Sequence, residues 1–181
     1  MRLIGTDEVG FAEYFRGIMN RGGGDEMLRM AVENIVREVA LRGDEAVFEY
    51  TLRFDGYDLN AASVQLTREE IRAAAALVAP ADREVLALAA ARVERFHRRQ
   101  LPTDWMDEEE NGVRIGQRFT PLERVGIYVP GGLAAYPSTV IMAAVPARIA
   151  GVEEIVAVTP LRRGSLDPLV ALAMELGGVN R

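Results

Sequence analysis

The sequence predicts an α/β fold, with a mainly helical N-terminal part (residues 1–122) followed by a β-α-β-α unit (residues 123–181). Up to Phe119, apolar residues recur mainly at the spacing of amphipathic helices. From Arg124 the pattern changes to two short runs rich in β-branched residues, 125–129 and 155–159, separated by a helical stretch at about 137–150. This order is typical of parallel strands joined by a right-handed crossover. We expect an incomplete Rossmann-like domain, with the domain boundary between Phe119 and Val125.

Composition restricts the class of protein. The chain has 181 residues, enough for one sizeable core or two small ones. Hydrophobic residues make up 49% and charged residues 27%, and the mean hydropathy is +0.03, as in soluble globular proteins. A net charge of -6 argues against general binding to nucleic acid or to an acidic membrane. Apolar runs fall short of the ~20 residues of a membrane helix, and the start lacks a leader pattern, so we expect a cytoplasmic protein.

The first predicted elements form a helical hairpin. Residues 25–42 carry apolar side chains at helical spacing, and Gly43 is a natural C-terminal stop. Asp44 can cap a second helix that ends at the turn signal Asp55-Gly56. The glycine triplet at 22–24 lacks a preceding strand, so a flexible loop is favoured over a phosphate site.

Two more helices follow. Thr67 and Glu70 have the spacing of a capping box, and the helix that they begin is expected to reach about Ala79, because Pro80 disfavours continuation. Residues 81–100 carry a further apolar stripe that includes Phe96. His97 borders this stripe, a position at which histidine is usually structural or interfacial.

The acidic run 107–110 stands before Asn111-Gly112 and is interpreted as a solvated turn, because consecutive carboxylates in a loop seldom converge on a metal ion. Apolar and polar residues alternate over 113–119, which predicts a strand with one buried face.

In the β-α-β-α unit, Pro146 is expected to kink or divide the first helix. Asp167 as cap and Pro168 at the first helical position predict a second helix that ends near Leu176, before Gly177-Gly178. Residues 179–181 would begin a third strand.

The polar and glycine residues after the first strand are the candidate ligand site. Tyr128, Pro130, Gly131 and Gly132 lie at the strand's carboxyl end, where open α/β sheets bind ligands. Ser138 and Thr139 fall in the first turn of the next helix, which favours an anion such as a dinucleotide phosphate. The motif is not G-x-G-x-x-G, and glycine pairs at such turns often have purely conformational reasons. Tyr128 is equally compatible with a buried strand tyrosine, so both interpretations stay open.

The lack of cysteine excludes disulfides and thiolate chemistry, and His97 is the single histidine. Conventional catalytic zinc sites take two or three histidines with a carboxylate. This chain therefore cannot supply a conventional zinc site unless another chain contributes, and triad chemistry could use only His97 as its base.

Landmarks along nearly the whole chain resemble the histidinol dehydrogenase family. They are Arg42 to Ala46 (RGDEA), Tyr50, Phe54-Asp55, Phe96-His97, Gly126 to Gly132 (GIYVPGG), Tyr136 to Val140 (YPSTV), Pro146-Ala147, Ala150-Gly151 and Thr159-Pro160. The long glycine motif is specific, whereas RGDEA alone would be weak. The resemblance implies oxidation of L-histidinol to L-histidine through an aldehyde, with NAD and zinc as cofactors. It also implies a homodimer with a core related to the aldehyde dehydrogenase fold.

By this resemblance Tyr128 contacts NAD, and Pro130, Gly131 and Gly132 line the same site. The family's zinc ligands and acid-base pair would follow Arg181, so we expect the chain to be the N-terminal part of such an enzyme and inactive alone. Its sheet would carry an unpaired edge. The alternative is a stand-alone nucleotide-binding or interaction module without catalysis.

Overall fold

The computed structural model describes residues 4–20, 26–131, 134–161 and 164–181, and it confirms the α/β class. The elements in chain order are α1 (Phe11–Met19), α2 (Glu26–Arg42), α3 (Asp44–Asp55), α4 (Arg68–Ala76), α5 (Pro80–Arg98), β1 (Trp105–Glu108), β2 (Arg114–Gln117), β3 (Arg124–Tyr128), α6 (Pro137–Ile149), β4 (Glu154–Val158) and α7 (Pro168–Gly177). The chain divides into two compact units, Met1–Glu49 and Tyr50–Arg181. The second unit contains residues from both sides of the expected domain boundary at 122/123, which stays a prediction.

The first unit contains α1 and α2. In α1 the rings of Phe11 and Phe15 stack with their centroids 5.6 Å apart. Helix α2 ends at Arg42 as predicted, and Gly43 follows with a φ of 60°, the left-handed conformation that glycine favours. The predicted start at Asp25 and the predicted loop at 22–24 lie outside the described residues.

Helices α4 and α5 begin where the sequence predicts. The Thr67 hydroxyl accepts a hydrogen bond from the Glu70 amide at 3.2 Å, and the Glu70 carboxylate accepts one from the Thr67 amide at 2.7 Å. Helix α4 ends at Ala76, before the predicted end near Ala79. Pro80 begins α5, since its fixed φ suits the first helical position. Phe96, which belongs to the apolar stripe of α5, is 61% exposed.

Strands β1 and β2 form an antiparallel ribbon with the register Trp105↔Gln117 to Glu108↔Arg114. Two expectations were wrong here. The first half of the acidic run lies in β1, and only its second half lies in the turn. Strand β2 has no buried face, because within the described residues both ribbon strands are exposed along their whole length.

The β-α-β-α unit has the predicted topology. Strand β3 pairs in parallel with β4, from Arg124↔Glu154 to Tyr128↔Val158. Pro146 does not divide α6, which runs through it as one helix. The amide of Asn180 donates to the Ile155 carbonyl at 2.9 Å, so the residues after α7 extend along β4 at the place of the expected third strand.

Asp167 caps α7 as predicted. Its carboxylate accepts hydrogen bonds from the amides of Leu169 and Val170, at 2.9 and 3.3 Å. Pro168 is the first helical residue, and Gly178 ends the helix with a φ of 79°. The cap and the stop together fix where α7 starts and ends.

The core of the second unit lies between the sheet and its helices. Helix α7 contacts α4, α5 and α6, and α6 contacts both β3 and β4. The largest fully buried side chains are Val129, Val140, Ile141, Val145, Ile155 and Leu172. Helices α6 and α7 pack closely, since a Cβ added to Gly177 would lie 2.8 Å from the Ala144 Cβ. Helix α6, which contacts both strands, thus links α7 to the sheet.

Candidate functional site

A cleft of about 160 Å³ lies at the carboxyl ends of β3 and β4. Parallel strands end at the same edge of a sheet, and the loops that leave them leave a crevice there. The residues around it come from the loop after β3, the loop after β4 and the start of α7. They are Pro130, Gly131, Ala134, Ala135, Thr159, Pro160, Ser165, Leu166, Asp167, Pro168 and Val170. Two of the four predicted site residues, Pro130 and Gly131, therefore line one cleft.

Gly131 is the point where the two strand-end loops touch. A Cβ added to Gly131 would lie 2.5 Å from Cγ of Pro160 and 3.1 Å from its carbonyl oxygen. Contacts below 3.0 Å are essentially absent for real Cβ atoms, so this position requires glycine for loop packing. Loop packing therefore explains the glycine at residue 131 whether or not a ligand binds. The predicted site residue Gly132 lies outside the described residues.

Tyr128 does not line the cleft. The side chains of Val125 and Ile127 pack against the core, and the alternation of a strand then places Tyr128 on the opposite face of the sheet. Its side chain is 68% exposed, and Val158, its register partner on β4, is 60% exposed. The interpretation of Tyr128 as a buried strand tyrosine is therefore wrong, and its contact with NAD stays a proposal.

The N-termini of α6 and α7 lie beside the cleft, and only that of α7 is capped by a carboxylate. Helix α6 begins at Pro137, and its N-cap residue Tyr136 makes no side-chain capping hydrogen bond. Ser138 is exposed in the first turn, as the sequence predicts. At α7, by contrast, the carboxylate of Asp167 already occupies the free amides. An anion near this cleft is therefore favoured at the start of α6 and disfavoured at α7.

The carboxyls with shifted pKa values lie outside the cleft lining. The Thr67 amide and hydroxyl lower the pKa of Glu70 by hydrogen bonding. The Arg98 and Arg148 guanidiniums lower the pKa of Glu94, and Arg124 and Arg181 do the same for Glu154. Each shift has a local structural cause, so these groups give no indication of acid-base chemistry.

His97 lies on α5, where its ring meets Phe96 edge-on with the centroids 5.3 Å apart, and it is not a lining residue of the cleft. In the part of the chain that the structure describes, no group of three or more histidine and acidic side chains is arranged to hold a metal ion. Within that same part, no helix is both long enough and apolar enough to cross a membrane.

Comparison with known proteins decides the family. The family model described as histidinol dehydrogenase matches residues 20–181. The chain belongs to the histidinol dehydrogenase family. It is 48% identical over 182 residues to the histidinol dehydrogenase of Syntrophotalea carbinolica, which covers all of this chain and 42% of that protein. It is 50% identical over 149 residues to that of Rhodospirillum rubrum, which covers 82% of this chain and 34% of that protein.

A solved structure is similar as well. The crystal structure of histidinol dehydrogenase from Elizabethkingia anophelis has a TM-score of 0.78 and 32% identity, over 86% of this chain and 36% of that one. The chain thus spans about two fifths of the length of the histidinol dehydrogenases that it matches, and it corresponds to their N-terminal part.

Sequence reasoning missed the loop after β4 as part of the site. Thr159 and Pro160 were recognised as family landmarks without a structural role. In the structure both line the cleft, and Pro160 also contacts Gly131. The signal was present in the sequence, because both loops follow parallel strands and must meet at one edge.

Proposed function

We propose that this chain supplies the NAD-side part of a histidinol dehydrogenase, the enzyme that oxidises L-histidinol to L-histidine through L-histidinal in two NAD-dependent steps. The observation that carries the proposal is the cleft at the carboxyl ends of β3 and β4, with Pro130 and Gly131 of the GIYVPGG motif in its wall. NAD accepts the hydride in each oxidation, and the residues of this chain bind and orient it.

Pro130 and Gly131, with Gly132, form the proposed surface against which part of the cofactor rests. Pockets that enclose a whole ligand commonly measure ~300–1,000 Å³, so a cleft of about 160 Å³ holds only part of a dinucleotide. Tyr128 is proposed to contact the cofactor from the open face of the sheet, where the residue is exposed. The remaining NAD contacts are proposed to come from the part of the relatives that this chain does not span.

The other properties of the family enzyme are proposals for the complete protein. They are a zinc-containing site, a cytoplasmic homodimer, a first domain ending near residue 122, and a Rossmann-like second domain related to the aldehyde dehydrogenase fold. The single histidine and the lack of cysteine support a zinc site built from other parts of the enzyme. The same composition supports an acid-base pair outside this chain.

Titration of NAD against the 181-residue chain tests the binding part of this proposal. We expect binding that Tyr128→Phe weakens about 2- to 10-fold, the effect of losing one hydrogen bond of ~0.5–1.5 kcal/mol. Tyr50→Phe is the matched control, because Tyr50 stacks on Phe54 and does not line the cleft. Equal NAD affinity in wild type and Tyr128→Phe would contradict the role of Tyr128.

A histidinol oxidation assay with added zinc tests the catalytic part. We expect no turnover by the 181-residue chain, and zinc-dependent NADH formation by protein of verified length would contradict this. The alternative of a stand-alone binding module shares both of these expectations. The coding sequence beyond Arg181 separates the two: a stop codon there would favour the module, and a catalytic half would favour the proposal.

A further inference from the structure

We propose that Tyr57 is a positioning residue for the cleft, holding the segment of residues 164–167 that forms one of its walls. The ligand part of this inference rests on the function proposed above. Tyr57 does not touch the cleft itself, and neither the motifs nor the family landmarks single it out.

The contact between Tyr57 and Gly164 carries the argument. A Cβ added to Gly164 would lie 2.5 Å from Cε2 of Tyr57, 3.1 Å from Cδ2 and 3.4 Å from Cζ. The ring of Tyr57 therefore occupies the place that a side chain at residue 164 would fill. Gly164 also has a φ of 78°, a conformation that other residues rarely adopt. Both observations favour glycine at residue 164, and the lack of a side chain there lets the loop backbone lie directly against the ring.

The held segment continues directly into the wall of the cleft. Ser165, Leu166 and Asp167 follow Gly164 and all line the cleft. At its far end the segment is fixed, because Asp167 caps α7. At its near end the ring of Tyr57 packs against Gly164. Between the two ends, Leu166 packs against the core. Removing the ring takes away the contact at the near end of the wall.

Tyr57 can serve as a fixed point because its own segment is held at several places. Oδ1 of Asn60 accepts hydrogen bonds from the amides of Ala62 and Ser63, at 2.9 and 3.2 Å. The guanidinium of Arg181 donates to the Gln65 side chain at 2.8 Å. Leu66 packs against the core. The connection between α3 and α4 therefore has a defined shape, which it transmits to the cleft through one aromatic ring.

Amide hydrogen exchange on the full 181-residue chain tests the positioning directly. Tyr57→Ala is expected to speed exchange in residues 164–167 about tenfold or more, because a local opening free energy falls when its packing contact is lost. Tyr57→Phe keeps the ring and is expected to exchange like wild type. General destabilisation would instead speed exchange in α7 as well, for example at Leu172, and that pattern would overturn the inference. So would unchanged exchange in residues 164–167.

NAD titration of the same variants tests the effect on the ligand. If residues 164–167 adopt their binding conformation only about a tenth of the time, the apparent affinity for NAD falls about tenfold. We expect this loss in Tyr57→Ala, recovery in Tyr57→Phe, and no change in the control Tyr50→Ala. Faster exchange of the wall with unchanged NAD affinity would overturn the inference. If wild type does not bind NAD, the proposed function fails, and the exchange comparison alone decides whether Tyr57 holds the wall.

Discussion

Substituting Gly131 by alanine tests whether this glycine of the GIYVPGG motif is required because a side chain would clash with Pro160. The added Cβ would lie 2.5 Å from Cγ of Pro160, about an ångström closer than ordinary van der Waals contact. The backbone of Gly131 itself is not in the left-handed region, so the clash is the main effect. Overpacking of this kind typically destabilises by about 1–3 kcal/mol, and we expect that loss in the free energy of unfolding.

Pro160→Ala supplies the second arm of a double-mutant cycle. It removes Cγ and Cδ of the proline, which are two of the three atoms nearest to the added Cβ. The third is the carbonyl oxygen of residue 160 at 3.1 Å, and it needs to shift by only a few tenths of an ångström. We therefore expect Gly131→Ala to be much less destabilising in the Pro160→Ala background, with a coupling energy of about 0.5–3 kcal/mol.

The assay is urea unfolding of the full chain followed by far-UV circular dichroism. Trp105 fluorescence is a poor probe of this region, because Trp105 lies on the exposed ribbon and is 49% exposed. Gly126→Ala is the matched control: Gly126 is also a glycine of the motif, and a Cβ there meets nothing within 4 Å. We expect this variant to be neutral or stabilised by up to ~1 kcal/mol.

Additive effects of Gly131→Ala and Pro160→Ala, within about 0.3–0.5 kcal/mol, would refute the direct contact. Equal destabilisation by Gly126→Ala and Gly131→Ala would refute it as well, because the effect would then come from glycine content and not from the neighbouring loop.

Three further expectations concern stability, each measured by urea unfolding. Thr67→Ala removes the capping hydroxyl and should cost about 1 kcal/mol, whereas Thr67→Ser should retain most of the stability. Ile155→Ala, at a fully buried position, should cost about 2–5 kcal/mol, against about 0.5–1.5 for Ile155→Val. Hydrogen bonds from Arg98 and Arg148 hold the pKa of Glu94 below its ordinary value of 4.5. The stabilisation by its carboxylate is therefore present above pH 4.5 and is lost as the pH falls from there through the lower folded pKa. The stability difference between wild type and Glu94→Gln should shrink over the same range; a constant difference from pH 6 to pH 3 would contradict this.

Helix starts and parallel strands were predicted well because their signals are local. The capping box at Thr67 and the Asp167-Pro168 cap each lie within a few residues of the helix that they begin. The β-branched runs that became β3 and β4 are short and continuous. Each cap already contains the groups that satisfy the first amides of its helix, whereas β3 and β4 satisfy each other's backbone groups by pairing.

The errors arose where distant residues decide the structure. Strand β1 contains two acidic residues, and its extended form depends on hydrogen bonding to β2 across a turn. The sequence does not show whether another layer covers that ribbon, so the buried face expected for β2 was wrong. In the same way, the role of Gly131 depends on Pro160 in another loop, and that of Gly164 on Tyr57. A motif identifies the glycines, but only the fold shows which neighbouring atoms would clash with a side chain at each of them.

The position of α7 between α4, α5 and α6 has a consequence for synthesis on the ribosome. Helix α4 has 9 residues, too few for a stable isolated helix, and its buried Ile71 and Ala75 belong to the same core as α7. At ~5–20 residues per second, the roughly 100 residues that separate α4 from the end of α7 take about 5–20 s to translate. Throughout that interval the apolar side of α4 lacks its principal partner. The nascent chain thus reaches its packed form late, when α7 emerges, and chaperones have several seconds in which to bind it.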